Sequence, residues 1–313
     1  MVNVLVIGGA GYIGSVVSNK LVGDHDVSVI DNLSKGVKSL LPGEVSFYEG
    51  DILDVEFLRK VFSKKDFDVV MHFAALKDAG ESMRDLAKYS QNIIGTINIL
   101  NVMVEFGVKK IVFSSSAAVY GEPGQKVISE DHLVNPVNFY GFTKLESERL
   151  IKWYHKQKGI DFVVLRYFNV AGDSLGYIDP FASNIFPIIC EVLSGKRKSL
   201  EVFGDDYDTR DGTCIRDYIH VSDLADAHIK ALSVKDSCVV NLGSSKGYSV
   251  LELIKVFEKV SGKKISFEVV GRRHGDPASL IASNKKAEKV LGWVPVHDLE
   301  SMAGSTWDAY KKN

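Results

Sequence analysis

Short, continuously apolar runs recur along the first half of the chain, each closed by glycine or a polar residue. Val2–Ile7 is the first and runs straight into glycine. Val27–Ile30, Val45–Tyr48, Val69–Phe73, Lys110–Phe113 and Phe162–Arg166 follow. Runs that are apolar at successive rather than alternate positions are those of strands buried on both faces. Longer stretches with helical spacing lie between most of them, notably about Tyr12 to Val22, Leu86 to Phe106 and Tyr140 to Lys156. Strand alternating with helix predicts an α/β fold, a Rossmann-like doubly wound parallel sheet, over residues 1–170.

The pattern loosens after Asn169. Residues 172–184 are rich in Gly, Asp, Ser and Pro and read as a loop. Helices are expected near 185–195, 222–234, 249–261 and 284–291. These shorter elements predict a smaller C-terminal α/β lobe over 171–313, with a segment at about 212–245 packing back on the first domain. Ligands of doubly wound sheets bind at the carboxyl ends of the strands, so the lobe is expected to close over that edge as the substrate lobe.

Composition narrows the function by exclusion. Lys+Arg 38 against Asp+Glu 40 leaves a net charge of -2, without the basic excess that nucleic acid attracts. No apolar run is long enough to span a bilayer. The N-terminus lacks a basic region ahead of its apolar run, unlike a signal peptide. Cys190, Cys214 and Cys238 are few, distant and odd in number, so neither a disulfide framework nor a metal site is expected. Reduced thiols and a cytoplasmic location are the expectation.

Chemistry enters through the punctuation between elements. Gly8-x-x-Gly11-x-x-Gly14 stands between a strand and a helix, where glycine lets the backbone approach a pyrophosphate and the helix N-terminus favours its charge. A glycine pattern alone is often only a tight turn; the strand–helix context points to a dinucleotide. Asp31 ends the second strand, where an acid accepts hydrogen bonds from ribose hydroxyls and repels a 2′-phosphate, favouring NAD over NADP. Asp51 follows the third strand, within reach of an adenine edge. Tyr140-Gly-Phe-Thr-Lys144 puts a phenol and an ammonium one above the other on one helix face. Lowering a phenol from about 10 to neutral pH requires roughly 4 kcal/mol of differential stabilisation, which a nearby cation and the helix N-terminus favour. Ser114-Ser-Ser116 follows the fifth strand, and a serine there can bond a reacting sugar oxygen and relay its proton to Tyr140.

These stretches together resemble the extended short-chain dehydrogenase/reductase family, and within it the enzymes that invert a UDP-hexose at C4. The resemblance runs from Val2 to about Trp293. It rests on GGAGYIG at 8–14, HFAALKDAGES at 72–82, FSSSAAVYG at 113–121, YGFTK at 140–144, LRYFNVAG at 165–172, GTCIRDYIHVSDLADAH at 212–228 and RRHGD at 272–276. It implies that Tyr140 is the base, Lys144 its electrostatic partner and Ser116 the proton relay. NAD is implied as cofactor, touching Gly8, Gly11, Tyr12, Ile13, Gly14, Asp31, Asn32, Ser34, Lys35 and Gly36. Further along, Asp51, Ile52, Phe73, Ala74, Ala75, Lys77, Asn92, Ser114, Tyr140, Lys144 and Phe168 complete that set. A UDP-hexose would touch Ser116, Asn169, Asn184, Phe203, Arg216, Arg273 and Asp276; two guanidinium forks suit a diphosphate.

The implied reaction interconverts UDP-glucose and UDP-galactose through a 4-keto sugar, with hydride lent to NAD and returned to the opposite face. Leu280 is expected to border the hexose 2-substituent, which leaves a UDP-N-acetylglucosamine or dual-specificity epimerase as the alternative. A nucleotide-sugar reductase, a dehydratase and a non-catalytic NAD-binding regulator are the other readings. Dehydratases of this type carry an Asp-Glu pair where this chain has Ala117 and Ala118. A homodimer through the helices near 86–106 and 140–156 is expected from the same resemblance, with no nucleic-acid or membrane partner.

Overall fold

The computed structural model describes residues 1–124, 127–177, 184–273 and 277–312. The six apolar runs and one further strand form a seven-stranded parallel sheet. In chain order its strands are β1 (Asn3–Ile7), β2 (Asp26–Asp31), β3 (Ser46–Glu49), β4 (Val69–His72), β5 (Lys110–Ser116), β6 (Asp161–Tyr167) and β7 (Cys238–Leu242). They lie side by side as β7-β6-β5-β4-β1-β2-β3. The chain therefore winds outward from β1 in one direction, returns, and winds outward from β4 in the other. This is the Rossmann-like doubly wound order expected from the sequence.

The crossovers include α1 (Tyr12–Leu21), α2 (Val55–Phe62), α3 (Leu86–Glu105) and α4 (Phe139–Lys158); α5 (Val221–Ala231) precedes β7. Leu5, Ile7, Val70, Ile111, Phe113 and Val164 of the strands are buried together with Leu58, Ile99, Met103 and Ile151 of the helices in one apolar core. A strand covered by helices has no solvent face, which is why its sequence does not alternate.

The sequence pattern predicts six strands for this sheet, and the structure adds β7 at its edge. Two elements are also longer than their apolar runs suggest. β5 extends through Ser114, Ser115 and Ser116, three polar residues held as strand. α4 begins at Phe139, where the Asn138 side chain caps it by accepting from Gly141 N–H at 2.8 Å, and ends at Gly159 in the left-handed region.

The chain divides into two compact units. The first holds Met1–Gly121, Leu133–Arg166 and Ala225–Val240; the second holds Glu122–His132, Tyr167–Leu224 and Asn241–Asn313. The second unit is built on a small sheet in the order Gly247–Ser249, Ile215–His220, Ser279–Ala282, Val127–Ile128, with Asn169–Ala171 also paired to Ile215–His220. Leu200–Phe203 pairs with Phe267–Val270 beside it. Helices Ile185–Leu193, Val250–Ser261 and Leu299–Lys312 supply the apolar partners, with Phe186, Phe257, Met302 and Trp307 buried in a common core. The C-terminal helix is not among those expected from the sequence. Among the described residues no helix is long and apolar enough to cross a membrane.

The turn from β1 to α1 sets how closely helix and strand approach. A Cβ at Gly14 would lie 2.2 Å from the Gly8 carbonyl oxygen and 2.8 Å from Gly9 Cα. Backbone cannot yield as a flexible side chain does, so Gly14→Ala must push α1 away from the turn. The expected loss is about 1–3 kcal/mol of unfolding free energy, read by urea or thermal denaturation. A variant as stable as the parent would show that the turn has slack.

Candidate active site

The carboxyl ends of β1, β2, β4 and β5 gather most of the cofactor-binding candidates. After β1, Gly8 N–H donates to Ile30 O at 2.7 Å, and α1 starts at Gly11 with no side-chain cap and no acidic residue in its first turn. Asp31, at the end of β2, is buried and accepts from Ala10 N–H at 3.0 Å and from Leu33 N–H at 2.9 Å. Burial raises its carboxyl above the ordinary value, against the pull of those two donors. Gly36 lies against the same carboxylate; a Cβ there would be 2.6 Å from Asp31 Oδ1. Asn32 Nδ2 donates to Asp51 Oδ2 at 2.8 Å, and its Oδ1 accepts from both the N–H and the hydroxyl of Ser34. Lys35 and Lys77 are exposed.

This end of the sheet fits a dinucleotide. An uncapped helix N-terminus without first-turn carboxylates leaves the positive end of the helix to a phosphate. Tyr12 and Ile13 are its first two helical residues. The fixed Asp31 carboxylate offers acceptor oxygens at the end of β2. After β4, Phe73 N–H and Ala74 N–H both donate to Ile7 O, and the Phe73 ring lies 4.7 Å from that of His228. Ala75 follows. Asn92 pins the next residue of this loop at both ends, accepting from Leu76 N–H at 2.8 Å and donating to Leu76 O at 3.0 Å. Ile52 packs over Gly95 of α3. Phe168 belongs to the second unit, buried, with its N–H bonded to Leu242 O at 3.0 Å.

Tyr140, Lys144 and Ser116 are brought together. The N-terminus of α4 is held by Tyr140 N–H donating to the buried Ser82 hydroxyl at 3.0 Å. Gly141 lets the helix settle on the short turn after β5, since a Cβ would meet Ala118 O at 2.5 Å. That approach brings the Tyr140 phenol beside Ser116, whose hydroxyl oxygen accepts from Ala118 N–H at 3.1 Å. One helical turn on, Lys144 Nζ lies 6.0 Å from the centre of the Tyr140 ring and 5.0 Å from that of Phe113, and donates to Ser114 O at 2.7 Å.

The electrostatics differ from the expectation that the ammonium lowers the phenol. Burial pushes the Tyr140 phenol up, and the Ser116 hydrogen bond is what pulls it down. Lys144 is only 4% exposed; burial pushes it down to about 7, with Glu148 opposing. His72, bonded to Thr96 Oγ1 at 3.2 Å, is pushed down to about 3 by burial and then by Lys144, so it stays neutral. A cation in so dry a place is costly and acts strongly on its neighbours.

Sequence reasoning missed the polar cluster behind Lys144. Arg166 grips Glu148 with two parallel bonds, Nε to Oε1 at 2.9 Å and Nη2 to Oε2 at 2.6 Å. Its Nη1 donates to Tyr120 Oη at 2.9 Å, and the Ser115 hydroxyl donates to Glu148 Oε1 at 2.6 Å. All four side chains are buried. Two signals were available: Glu148 continues the Tyr140–Lys144 stripe by one more turn, and Arg166 is a charge inside a buried strand.

The substrate-binding candidates, Ser116 apart, lie in the second unit. Asn169 Nδ2 donates to Asp217 O at 2.9 Å. Asn184 caps the helix Ile185–Leu193 by accepting from Phe186 N–H at 3.0 Å, while its Nδ2 donates to Val170 O. Arg273 lies with its guanidinium 4.1 Å over the Phe203 ring. Arg216 Nη1 donates to Ile215 O and Pro277 O, both at 2.8 Å, and Arg216 stands opposite Leu280 in the strand register. Asp276 lies outside the described residues. The buried Asp217 next to Arg216 accepts from the N–H and hydroxyl of Ser244 and from Ser245 and Ala282 N–H; burial still pushes it up to about 6.

Residues 4–243 match the family described as NAD dependent epimerase/dehydratase. The UDP-glucose 4-epimerase of Lacticaseibacillus casei is 45% identical over 321 residues, which cover 99% of this chain and 97% of that one. The structure of UDP-glucose 4-epimerase from Bifidobacterium longum in complex with NAD+ and UDP superposes with a TM-score of 0.92 at 39% identity, covering 99% of this chain and 98% of that one. The UDP-Glc/GlcNAc 4-epimerase from Campylobacter jejuni gives 0.90 at 40% identity, covering 100% of both chains.

The lysine gives a pH test. Its folded value of about 7 lies below the ordinary 10.5, so the unfolded chain binds the extra proton between those limits and stability from this group rises with pH there. The difference in unfolding free energy between wild type and Lys144→Met is expected to rise from pH 7 to 10.5, measured by urea denaturation at stepped pH. A flat difference would mean that Lys144 titrates alike in both states.

Proposed function

The chain belongs to the NAD dependent epimerase/dehydratase family, and we propose that it interconverts UDP-glucose and UDP-galactose by inverting C4 of the hexose. The observation that carries this reading is the gathering of Ser116, Tyr140 and a buried Lys144 at the carboxyl end of β5. NAD is the cofactor and, when bound, supplies a hydride acceptor that becomes the donor for the return step. The uncapped N-terminus of α1 and the Gly8–Gly14 turn would hold its pyrophosphate, and Asp31, with Asn32 and Asp51 bonded to each other, would serve its adenosine end. Asn92 keeps the 74–77 loop in place, and Lys144 would serve its nicotinamide ribose.

Tyr140 takes the proton of the sugar 4-hydroxyl, with Ser116 bonded to the same oxygen and passing the proton across. A phenol held up by burial needs the charge of Lys144 to become phenolate, which is why the lysine must be cationic when the substrate is present. With the proton gone from its oxygen and the hydride from C4 given up to the acceptor, the sugar becomes a 4-keto hexose. It turns its other face, hydride returns to C4 there, and Tyr140 gives the proton back to the oxygen. The diphosphate must stay anchored while the hexose turns, and Arg216 and Arg273 are the forked cations offered to it. Phe203 offers a face for the uracil, and Asn169 and Asn184 offer amides. Elimination of water is disfavoured because Ala117 and Ala118, next to Ser116, carry neither acid nor base.

The test is to incubate purified protein with UDP-galactose, and separately with UDP-N-acetylgalactosamine, and to follow anomeric protons by NMR. Wild type is expected to reach a mixture of C4 epimers from UDP-galactose, and Tyr140→Phe to slow this by roughly 10²–10⁴-fold. No conversion by wild type, even with NAD supplied, overturns the reading. Conversion of the N-acetyl sugar extends the substrate to N-acetylhexosamines.

A homodimer is the second part of the proposal. Leu86, Ile94 and Val104 of α3 and Phe142 and Trp153 of α4 are exposed, Trp153 to 59%, and α3 and α4 pack on one another. Apolar residues repeated along two neighbouring helices suit the same pair of helices from a second copy, making a four-helix interface. Sedimentation should find a dimer for wild type and a monomer for the Ile94→Glu, Trp153→Glu double variant. A monomeric wild type removes this part.

A further inference from the structure

Behind the candidate base lies a charged cluster to which the reaction above gives no task. Tyr140, Lys144 and Glu148 form one stripe on α4. Glu148 is fully buried, both its oxygens taken by Arg166 and one also by Ser115, while Tyr120 holds the far side of the guanidinium. An unrestrained carboxylate four residues from a lysine on a helix would swing toward it and take its N–H groups. Here the carboxylate faces Arg166 instead, and Lys144 Nζ is turned to Ser114 O at the reacting end of the strand. We infer that Glu148, clamped by Arg166, is a positioning residue that keeps Lys144 charged from behind without drawing its ammonium away from Tyr140.

The proposal rests on the role given above to Lys144. The charged and titratable groups around that lysine bear it out. Tyr140 lies one turn before it, its phenol held up by burial. His72, from β4, stays neutral, and α3 presents the uncharged Asn92 and Thr96 to this region, through Thr143 and His72. Glu148 is the group that raises Lys144 against its burial. A free carboxylate would do this more strongly but would compete for the ammonium. A carboxylate whose oxygens are taken by Arg166 and Ser115 still acts on the lysine through its charge while it has no bond to offer the ammonium.

A buried ion pair can also serve the fold alone, and the test has to separate the two roles. Selective ¹³C-lysine NMR of the full chain reads the titration of Lys144 directly, its resonance assigned by its absence in Lys144→Met. In Glu148→Gln the midpoint is expected to fall by roughly one pH unit or more, and the alkaline limb of kcat for UDP-galactose to move down with it while KM changes little. Should Glu148→Gln not fold, the double variant Glu148→Leu, Arg166→Met replaces the pair by apolar groups of similar volume, an exchange that buried pairs often tolerate. A purely structural role predicts that this variant folds with the Lys144 midpoint of wild type. The positioning role predicts that it folds with the midpoint lowered. An unmoved midpoint in either folded variant overturns the inference. Full turnover by Lys144→Met would instead overturn the role given to the lysine, while the midpoints still decide what Glu148 does.

Discussion

A cation taken out of water is the constraint around which the first unit is organised. Lys144 sits where β5 ends, between an aromatic ring of that strand and the phenol one turn back on its own helix. Its charge is useful to a reaction only because it is poorly screened, and poorly screened charge is expensive to keep. The capped start of α4, the glycine that lets the helix touch the turn at Ala118, and the carbonyl of Ser114 all fix where that charge lies. The Glu148–Arg166 clamp then extends the same arrangement into the interior. Leaving either member of such a pair alone costs about 3–5 kcal/mol in comparable settings, so the clamp is fixed in place by the same low dielectric that makes it effective.

Much of this was legible in the residues. Continuous apolar runs identified β1, β2, β4 and β6 because strands buried on both faces have no reason to alternate. The turn glycines were readable because the close approach of α1 to the end of β1 leaves no room for a Cβ at Gly14. The Tyr140–Lys144 spacing gave their shared face directly. What was not legible depends on distance in the chain. Cys238–Leu242 is an apolar run like the others, but only its place beside β6 makes it part of the first sheet. The C-terminal helix buries Leu299, Met302, Ala303, Thr306 and Trp307. Its stripe was present in the sequence but interrupted by Gly304 and by polar residues whose contacts are made elsewhere in the second unit.

The sign of the Tyr140 electrostatics was also beyond the sequence. Spacing says that an ammonium is near a phenol; it does not say that both are buried, and burial works against both charges at once. Ser115 and Tyr120 show the same limit. Within FSSSAAVYG they read as neighbours of the candidate Ser116, yet their hydroxyls serve a carboxylate and a guanidinium that arrive from 33 and 46 residues further on.

The bonds to Asp217 bear on how the chain is made. That single carboxylate ties together Ser244, Ser245 and Ala282, and the last of these lies 65 residues downstream. Until Ala282 has left the ribosome, the carboxylate lacks one of its donors, and the apolar face awaiting Met302 and Trp307 remains uncovered still longer. The first sheet, by contrast, is complete once Leu242 emerges. Vectorial synthesis therefore delivers a finished nucleotide platform well before the second unit can close. A stalled or truncated chain would expose the unfinished surface of that second unit to chaperones and proteases.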